Sequence, residues 1–392
     1  MEWKEYQIQD VCRLINGRAY SNDEMLEHGK YKIVRVGNLS GGNSTWFYSD
    51  LELPADKYCH NGDLLFAWAC TFGPHIWKED NTIFHYHIWK IVEDKDVVDR
   101  RFFYYYLKYA TGGFLGALNG SVMVHITKSS MEKMNIRIPQ NLEDQRRIAF
   151  ILSSLDRKIE LNNKINADLE EMAQAIFKNW FVDFEPFKDG KFVDSELGMI
   201  PEGWKVGRLT EIASYMNGLA MQKFPPENNE DSLPVLKIKE LGQGFCGTDS
   251  DRCSCNIKDE CKIHNGDVIF SWSGTLLVDV WCGGDCGLNQ HLFKVTSKDY
   301  PKWFYYYWTK HHLQEFIHIA KDKAVTMGHI KRGHLEEAMV AIPNNDSMEK
   351  AHELFEPILS KMISLRLESS RLSLLRDTLL PRLMSGELEV PE

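Results

Sequence analysis

Two kinds of hydrophobic pattern alternate along the chain. Over residues 1–142, short β-branched and aromatic runs at 31–36, 63–68 and 83–92 are separated by Gly/Asn clusters such as Gly37-Asn38. Runs of this kind bounded by turn residues predict strands. Residues 99–110 predict a helix, and 129–135 a short helix before a strand at 136–138. From residue 142 to 181 the spacing changes to alternating fours and threes. Ile148, Leu152, Leu155, Ile159, Asn162, Asn166, Leu169, Ala173, Ile176 and Trp180 form one stripe, with charges of both signs on the other faces. That stripe predicts a coiled-coil helix, roughly 58 Å long at 1.5 Å per residue.

A second stripe, Phe355, Ile358, Met362, Leu365, Ser369, Leu372, Leu379 and Leu383, predicts a helix over 347–384, with Arg376 interrupting it. Pro357 falls near its start, where a missing N–H costs little. Pro381 is expected to end or kink it. An isolated amphipathic helix is marginal in water, so the two stripes are expected to pack together, antiparallel. Asn162 and Asn166 stand where leucine would stabilise more; a buried polar residue at such a position fixes register at a cost in stability.

The two patterns recur because the chain repeats itself after about 200 residues. Trp3-Lys4 returns as Trp204-Lys205, and Asn16-Gly17 as Asn217-Gly218. Asn61-Gly-Asp-Leu-Leu-Phe-Ala-Trp68 returns as Asn265-Gly-Asp-Val-Ile-Phe-Ser-Trp272. His87-Ile-Trp-Lys-Ile91 returns as His291-Leu-Phe-Lys-Val295, and Phe103-Tyr-Tyr-Tyr106 as Phe304-Tyr-Tyr-Tyr307. This period is too long for a solenoid. The fold class expected is α+β: two similar mixed α/β domains joined by two long antiparallel coiled-coil helices, with pseudo-twofold symmetry. The blocks are a first domain at 1–142, a first spacer helix at 143–185, a connector at 186–203, a second domain at 204–345, and a second spacer helix with tail at 346–392.

Composition narrows the class. A hydrophobic content of 43% supports real cores in 392 residues. No stretch reaches the ~18 apolar residues of a membrane span, and the first residues do not read as a signal peptide, so a cytoplasmic location is expected. The odd count of 9 Cys argues against a disulfide framework. A net charge of −10 argues mildly against a free-standing nucleic-acid binder, although local patches escape an average.

Little in the sequence points to catalytic chemistry. No phosphate loop, nucleophile elbow or His-Glu-x-x-His stands in the sequence. Asn61-Gly-Asp63 and Asn265-Gly-Asp267 read as tight turns opening a strand rather than as catalytic carboxylates. Cys253, Cys255, Cys261 and His264 offer zinc-ligand chemistry but lack the regular paired spacing of a structural site, so no metal is expected. The tyrosine triplets at 104–106 and 305–307 could stack bases, but core packing is favoured. Trp68 and Trp272 end matching strands, where a ligand-facing role and packing stand level.

Several longer motifs carry a family likeness. They are Ile138-Pro-Gln-Asn-Leu-Glu-Asp-Gln-Arg-Arg-Ile148, Leu155-Asp-Arg-Lys-Ile159, Asn179-Trp-Phe-Val-Asp-Phe-Glu-Pro-Phe187, Gly198-Met-Ile-Pro-Glu-Gly-Trp204 and Leu380-Pro-Arg-Leu-Met-Ser-Gly-Glu-Leu388. Together with the duplication, they make the chain resemble the specificity (S) subunit of type I restriction–modification enzymes. One departure is that residues 346–350 lack the Glu-Asp-Gln-Arg-Arg box of the first spacer. The resemblance implies a non-catalytic DNA-binding subunit with two target-recognition domains, each reading half of a bipartite double-stranded DNA site. It implies two modification subunits that methylate adenine with S-adenosylmethionine, and two restriction subunits that use ATP and Mg²⁺. This chain itself would hold no cofactor.

Base and phosphate contacts are then expected from loops that differ between the repeats. In the first domain the candidates are Arg18, Lys30, Arg35, Asn38, Asn43, Thr71, His75, Lys78 and Lys128. In the second they are Lys237, Lys239, Gln243, Arg252, Ser273, Thr275, Lys321, Lys323 and Arg332. Arg and Asn suit base edges, and Lys suits phosphate. The alternatives are a non-catalytic scaffold or DNA mimic on the same fold, which would show acidic grooves, and a metal enzyme using the Cys/His cluster.

Overall fold

The computed structural model describes residues 1–39, 44–69, 72–117, 126–227, 231–322 and 328–391. The chain forms two compact units, one of Met1–Lys158 with Leu372–Glu392 and one of Ile159–Arg371. Among the described residues no helix is long and apolar enough to cross a membrane.

Unit 1 contains two four-stranded sheets and a two-stranded ribbon. One sheet is antiparallel, in the order Cys12–Asn16, Ile88–Glu93, Leu64–Ala67, Gly73–Ile76. The other runs Phe47–Ser49, Tyr31–Val34, Thr82–Phe84, Tyr58–Cys59, with a parallel pair at its centre. The ribbon pairs Trp3–Gln7 with Asn135–Pro139. Strand Leu64–Ala67 is fully buried on both faces. Its alternate residues serve different cores, Leu64 and Phe66 one, Leu65 and Ala67 another, because successive strand side chains point to opposite faces.

Unit 2 repeats the plan. Ser214–Asn217, Leu292–Thr296, Val268–Ser271 and Leu277–Val280 form one sheet; Arg252–Ser254, Ser232–Leu236, Cys286–Leu288 and Lys262–Ile263 form the other. Lys205–Arg208 pairs with Met339–Ile342. The recurring sequence motifs have matching structural causes. Gly62 and Gly266 turn with φ of 88° and 92°, a region favouring glycine. The adjacent Asp63 and Asp267 receive Lys90 and Lys294 at 2.7 and 2.8 Å. Those turns are structural, and the lysine of each later motif is their lock. The tyrosine triplets pack in cores: Tyr305, Tyr306 and Tyr307 are buried, as are Tyr105 and Tyr106.

The helices match the second pattern closely, at Leu142–Phe181 and Asn345–Ser385. Each contributes to both units, since the division falls after Lys158 and after Arg371. In unit 1, Ile148, Ala149 and Leu152 share a core with Leu380, Leu383 and Met384. In unit 2, Asn162 meets Ser369 while Phe177 and Phe181 meet Phe355. Numbers rise on one helix as they fall on the other, so the pairing within unit 2 is antiparallel. Leu155, Ile159, Leu169, Leu372 and Leu379 are half-buried along the stripe, and Met362 and Leu365 are buried. Ile176 and Ile358 are also half-buried, while Phe177 and Leu359 enter the core, because here the helices pack on Trp303, Tyr307 and Trp308 as well as on each other.

Two details depart from or refine the expectation. Pro381 does not end the second helix, which runs on to Ser385. A helix-interior proline costs about 3 kcal/mol, and burial of Leu380, Leu383 and Met384, at about 1.5–3 kcal/mol each, offsets it. Asn162 and Asn166 are both buried. The Asn162 amide donates to Glu368 at 2.8 Å and Ser369 at 3.3 Å. Its Oδ1 and both amide atoms of Asn166 lack a partner among the described residues. Unpaired buried amides are costly, so Asn166→Leu is expected to stabilise the protein by about 1–3 kcal/mol. Urea unfolding checks this, and an unchanged or lower midpoint counts against an unsatisfied amide at that position.

Candidate nucleic-acid interface

In unit 2 the site begins where one sheet hands the chain to the other. Strand Cys286–Leu288 lies parallel to Val235 and Leu236. The Asn289 amide donates to Leu236 O at 3.1 Å, and Leu292 N closes a turn on Asn289 O at 3.0 Å. Asn289 Oδ1 accepts from His291 N at 3.2 Å. The two central positions, Gln290 and His291, are thereby held at the turn's tip. The backbone of Gly218 presses against this turn. A Cβ there would lie 2.2 Å from Leu288 O and 2.4 Å from Asn289 O.

The turn forms one wall of an open groove of about 710 Å³. Met221, Val235 and Ile238 give it an apolar floor; Lys237, Lys239 and Arg252 line it with cations; Gln222, Gln290 and His291 add further polar side chains. Among the described residues Asp251 is the single carboxylate in the lining. Lys237 pairs with Asp251, and Lys239 with Asp249 at 2.6 Å. The Asp249 hydrogen bond raises the Lys239 ammonium above its ordinary pKa. Arg252 donates to Ser232 Oγ at 2.6 Å. Exposed ion pairs contribute only about 0–1 kcal/mol, so little energy holds Lys237 and Lys239 to their carboxylates.

Unit 1 builds the same turn from different side chains. His85 N donates to Val34 O at 2.9 Å, and Ile88 N closes on His85 O at 3.0 Å. A Cβ on Gly17 would sit 2.2 Å from His85 O. The tip is Tyr86-His87, with Tyr86 40% exposed. Beneath it Trp68 packs on His87 at 5.0 Å and donates its indole N–H to Tyr86 O at 2.9 Å. Tyr20 stacks on His85 at 6.4 Å. Arg18 forks onto Glu24 at 2.9 and 2.6 Å, and holds that carboxyl down to about 2. Arg35 lies over the Phe47 ring at 4.3 Å. Burial, with His87 and Arg35 adding to it, lowers His85 to about 4, so its imidazole is neutral at pH 7.

The two units thus repeat one frame with chemically different turn tips. The model of the type I restriction modification DNA specificity domain matches residues 1–171 and again 201–365. The chain belongs to this family. It is 31% identical over 316 residues to the type I restriction enzyme MjaIX specificity subunit of Methanocaldococcus jannaschii, covering 76% of this chain and 71% of that one. It is 22% identical to the HindI specificity subunit of Haemophilus influenzae, covering 99% of this chain and all of that relative. In fold it is similar to the crystal structure of a type I system S subunit from M. genitalium, with a TM-score of 0.55 at 16% identity over 98% of this chain.

Within these specificity domains, the sequence-predicted contact residues fall into three groups. Lys237, Lys239 and Arg252 share the unit 2 groove, and Ser273 bonds His291 Nδ1 at 3.1 Å behind its lip. Arg35 and Asn38 stand together in unit 1, Asn38 Oδ1 accepting from Arg35 N at 3.0 Å. The second group is tied elsewhere. Lys30 pairs with Glu52, Lys128 with Glu132 at 3.6 Å, and Gln243 donates to Phe245 O at 2.6 Å. His75 is half-buried, and burial lowers its pKa. Lys78, Thr275, Lys321 and Arg332 are exposed. Asn43, Thr71 and Lys323 lie outside the described residues.

Sequence reasoning missed Tyr20, Tyr86, Gln290 and His291 as site residues. The signal for the turn was the polar triplet inside each apolar run, His85-Tyr86-His87 and Asn289-Gln290-His291. Trp68 and Trp272 prove to underlie these turns, Trp272 packing on His291 at 5.9 Å. Cys253 and Cys261 are buried, which raises their thiols, and His264 pairs with Asp285 at 2.8 Å. Among the described residues no group of three or more His, Cys, Asp or Glu is placed to hold a metal.

Proposed function

We propose that this chain is the DNA-reading subunit of a type I restriction–modification complex, with each unit reading one half of a bipartite site and the long helices setting the unread gap. The observation that carries this reading is the shared turn, pinned by the same backbone bonds in both units but tipped with Tyr86-His87 in one and Gln290-His291 in the other. A constant frame with variable tips is what two different half-sites require, since phosphate contacts position and base contacts specify. The three cations of the unit 2 groove, two of them in exposed pairs with Asp251 and Asp249, favour a reader over a DNA mimic. The reaction belongs to partners. Two modification subunits would supply adenine methylation with S-adenosylmethionine, and two restriction subunits ATP- and Mg²⁺-dependent cleavage. Exposed Phe150 and Leu374 in unit 1, and Leu161 and Leu354 in unit 2, all on the long helices, offer apolar docking area for them.

Exchanging residues 204–345 for the matching segment of another specificity subunit is expected to change one half-site and leave the other intact. Mapping methylated adenines in cells that carry the chimera with its modification subunit reads this out. A swap that altered both half-sites would sink the modular reading.

A further inference from the structure

We propose that Tyr86 and Gln290, the turn-tip residues that differ between the units, are base-reading residues, and that Gln290 sets one position of the second half-site by pairing with adenine. The inference rests on the DNA-reading function above and adds which side chain does the reading. Three observations carry it.

The first is rigidity. Each turn is fixed by a hydrogen bond to the neighbouring strand, by its own closing bond, and by a glycine backbone packed against it. Within that frame the first central side chain changes, Tyr86 in one unit and Gln290 in the other, while His87 and His291 match. The second is the company Gln290 keeps. Lys237, Lys239 and Arg252 on the same groove suit phosphate, which is the same at every step of a duplex. Gln290 stands among them as an amide at the tip. A glutamine amide donates to N7 and accepts from the N6 amino group of adenine, a pairing that distinguishes bases. The third is support. Gln290 Nε2 lies 3.4 Å from His291 Nε2, and His291 Nδ1 lies 3.1 Å from Ser273 Oγ. The chain Ser273–His291–Gln290 steadies the amide from behind. Among the described residues its carbonyl oxygen makes no hydrogen bond, so the acceptor an adenine amino group needs is open. Unit 1 places Tyr86 and His87 at the same positions and has no amide there, so the half-sites differ where the frames agree.

The test is selection from randomised duplexes by the assembled methyltransferase complex, run for the parent, Gln290→Ala, Gln290→Glu and Lys237→Ala, with salt titrations of binding. Gln290→Ala is expected to lose about 10- to 100-fold of discrimination at one adenine of one half-site, with the salt dependence unchanged because no phosphate contact is removed. Gln290→Glu is expected to move the preference there towards cytosine, whose amino group a carboxylate accepts. Lys237→Ala should weaken all sequences alike and lower the salt slope by about one. The proposal falls if Gln290→Ala leaves every position intact, weakens all sequences equally, or relaxes a position whose preferred base is not adenine. A parent complex that selects no sequence at all would instead overturn the DNA-reading function itself.

Discussion

Gly218→Ala is expected to destabilise the protein by about 2–4 kcal/mol and to abolish recognition of one half-site. The added Cβ would meet Leu288 O at 2.2 Å, Asn289 O at 2.4 Å and Leu288 C at 2.6 Å. All three are backbone atoms of the reading turn, so no side chain can rotate away. Relief requires prising apart Gly218 N from Leu292 O and Leu219 N from Leu288 O, now 3.1 and 2.9 Å. Overpacking costs about 1–3 kcal/mol, and each weakened hydrogen bond about 1 more. Gly17→Ala should do the same to unit 1, where the new methyl would fall 2.2 Å from His85 O. Gly242 is the control. It has nothing within 4 Å of its Cβ position and lies in helix Ile238–Gln243, so alanine there should be neutral or stabilising by up to about 1 kcal/mol. Urea midpoints for the three variants, read beside methylation maps, decide the matter. Equal midpoints for Gly218→Ala and Gly242→Ala would refute the close-approach account.

The second large effect is expected at Asp156. Its Oδ2 accepts from the Tyr105 hydroxyl at 2.5 Å and its Oδ1 from Arg376 at 2.6 Å. Burial and the adjacent carboxylate push the Tyr105 phenol up, so it remains a donor at any working pH. Asp156→Ala strands a hydroxyl and deprives a guanidinium that is only 17% exposed of one of its two acid partners. The expected loss is about 2–3 kcal/mol, below the 3–5 kcal/mol of a fully buried pair because Asp156 keeps some solvent. Replacing Asp156 and Arg376 together by leucine should recover much of it, since a buried ion pair is often matched by apolar packing. Thermal unfolding of the single and double variants would show this, and a double variant less stable than the single one would refute it.

Arg376 shows what the sequence could and could not convey. Its place in the stripe was legible as an interruption, but its partner was not, because Asp156 lies 220 residues away. The helices were legible nearly to the residue, since a long stripe leaves one periodic solution. So were the duplication and the Asn-Gly-Asp turns. The break inside residues 83–92 was not. Ile83-Phe84 and Ile88-Trp89 both favour strands, and nothing local says that they belong to different sheets. The turn between them is imposed by pairing with Tyr31–Val34 on one side and Leu64–Ala67 on the other. The reading residues therefore hid inside what looked like one strand. The box glutamine had a similar fate: Gln145 is buried, accepting from Asp99 N at 2.8 Å and donating to Val97 O and Pro139 O. Its first duty is to fasten the helix to its own domain.

The sharing of both long helices has a consequence for how the chain is made. Unit 2 is one uninterrupted stretch, Ile159–Arg371, whereas unit 1 draws its core from Met1–Lys158 and Leu372–Glu392. Leu380, Leu383, Met384 and Val390 all belong to that core. On a ribosome adding about 5–20 residues per second, the first unit to emerge must wait roughly tens of seconds for its missing piece, while the second can fold as soon as it clears the tunnel. The domain begun first is finished last. Until then its apolar surface is open, and a chaperone, or a modification subunit already at hand, has its longest opportunity to bind at that end.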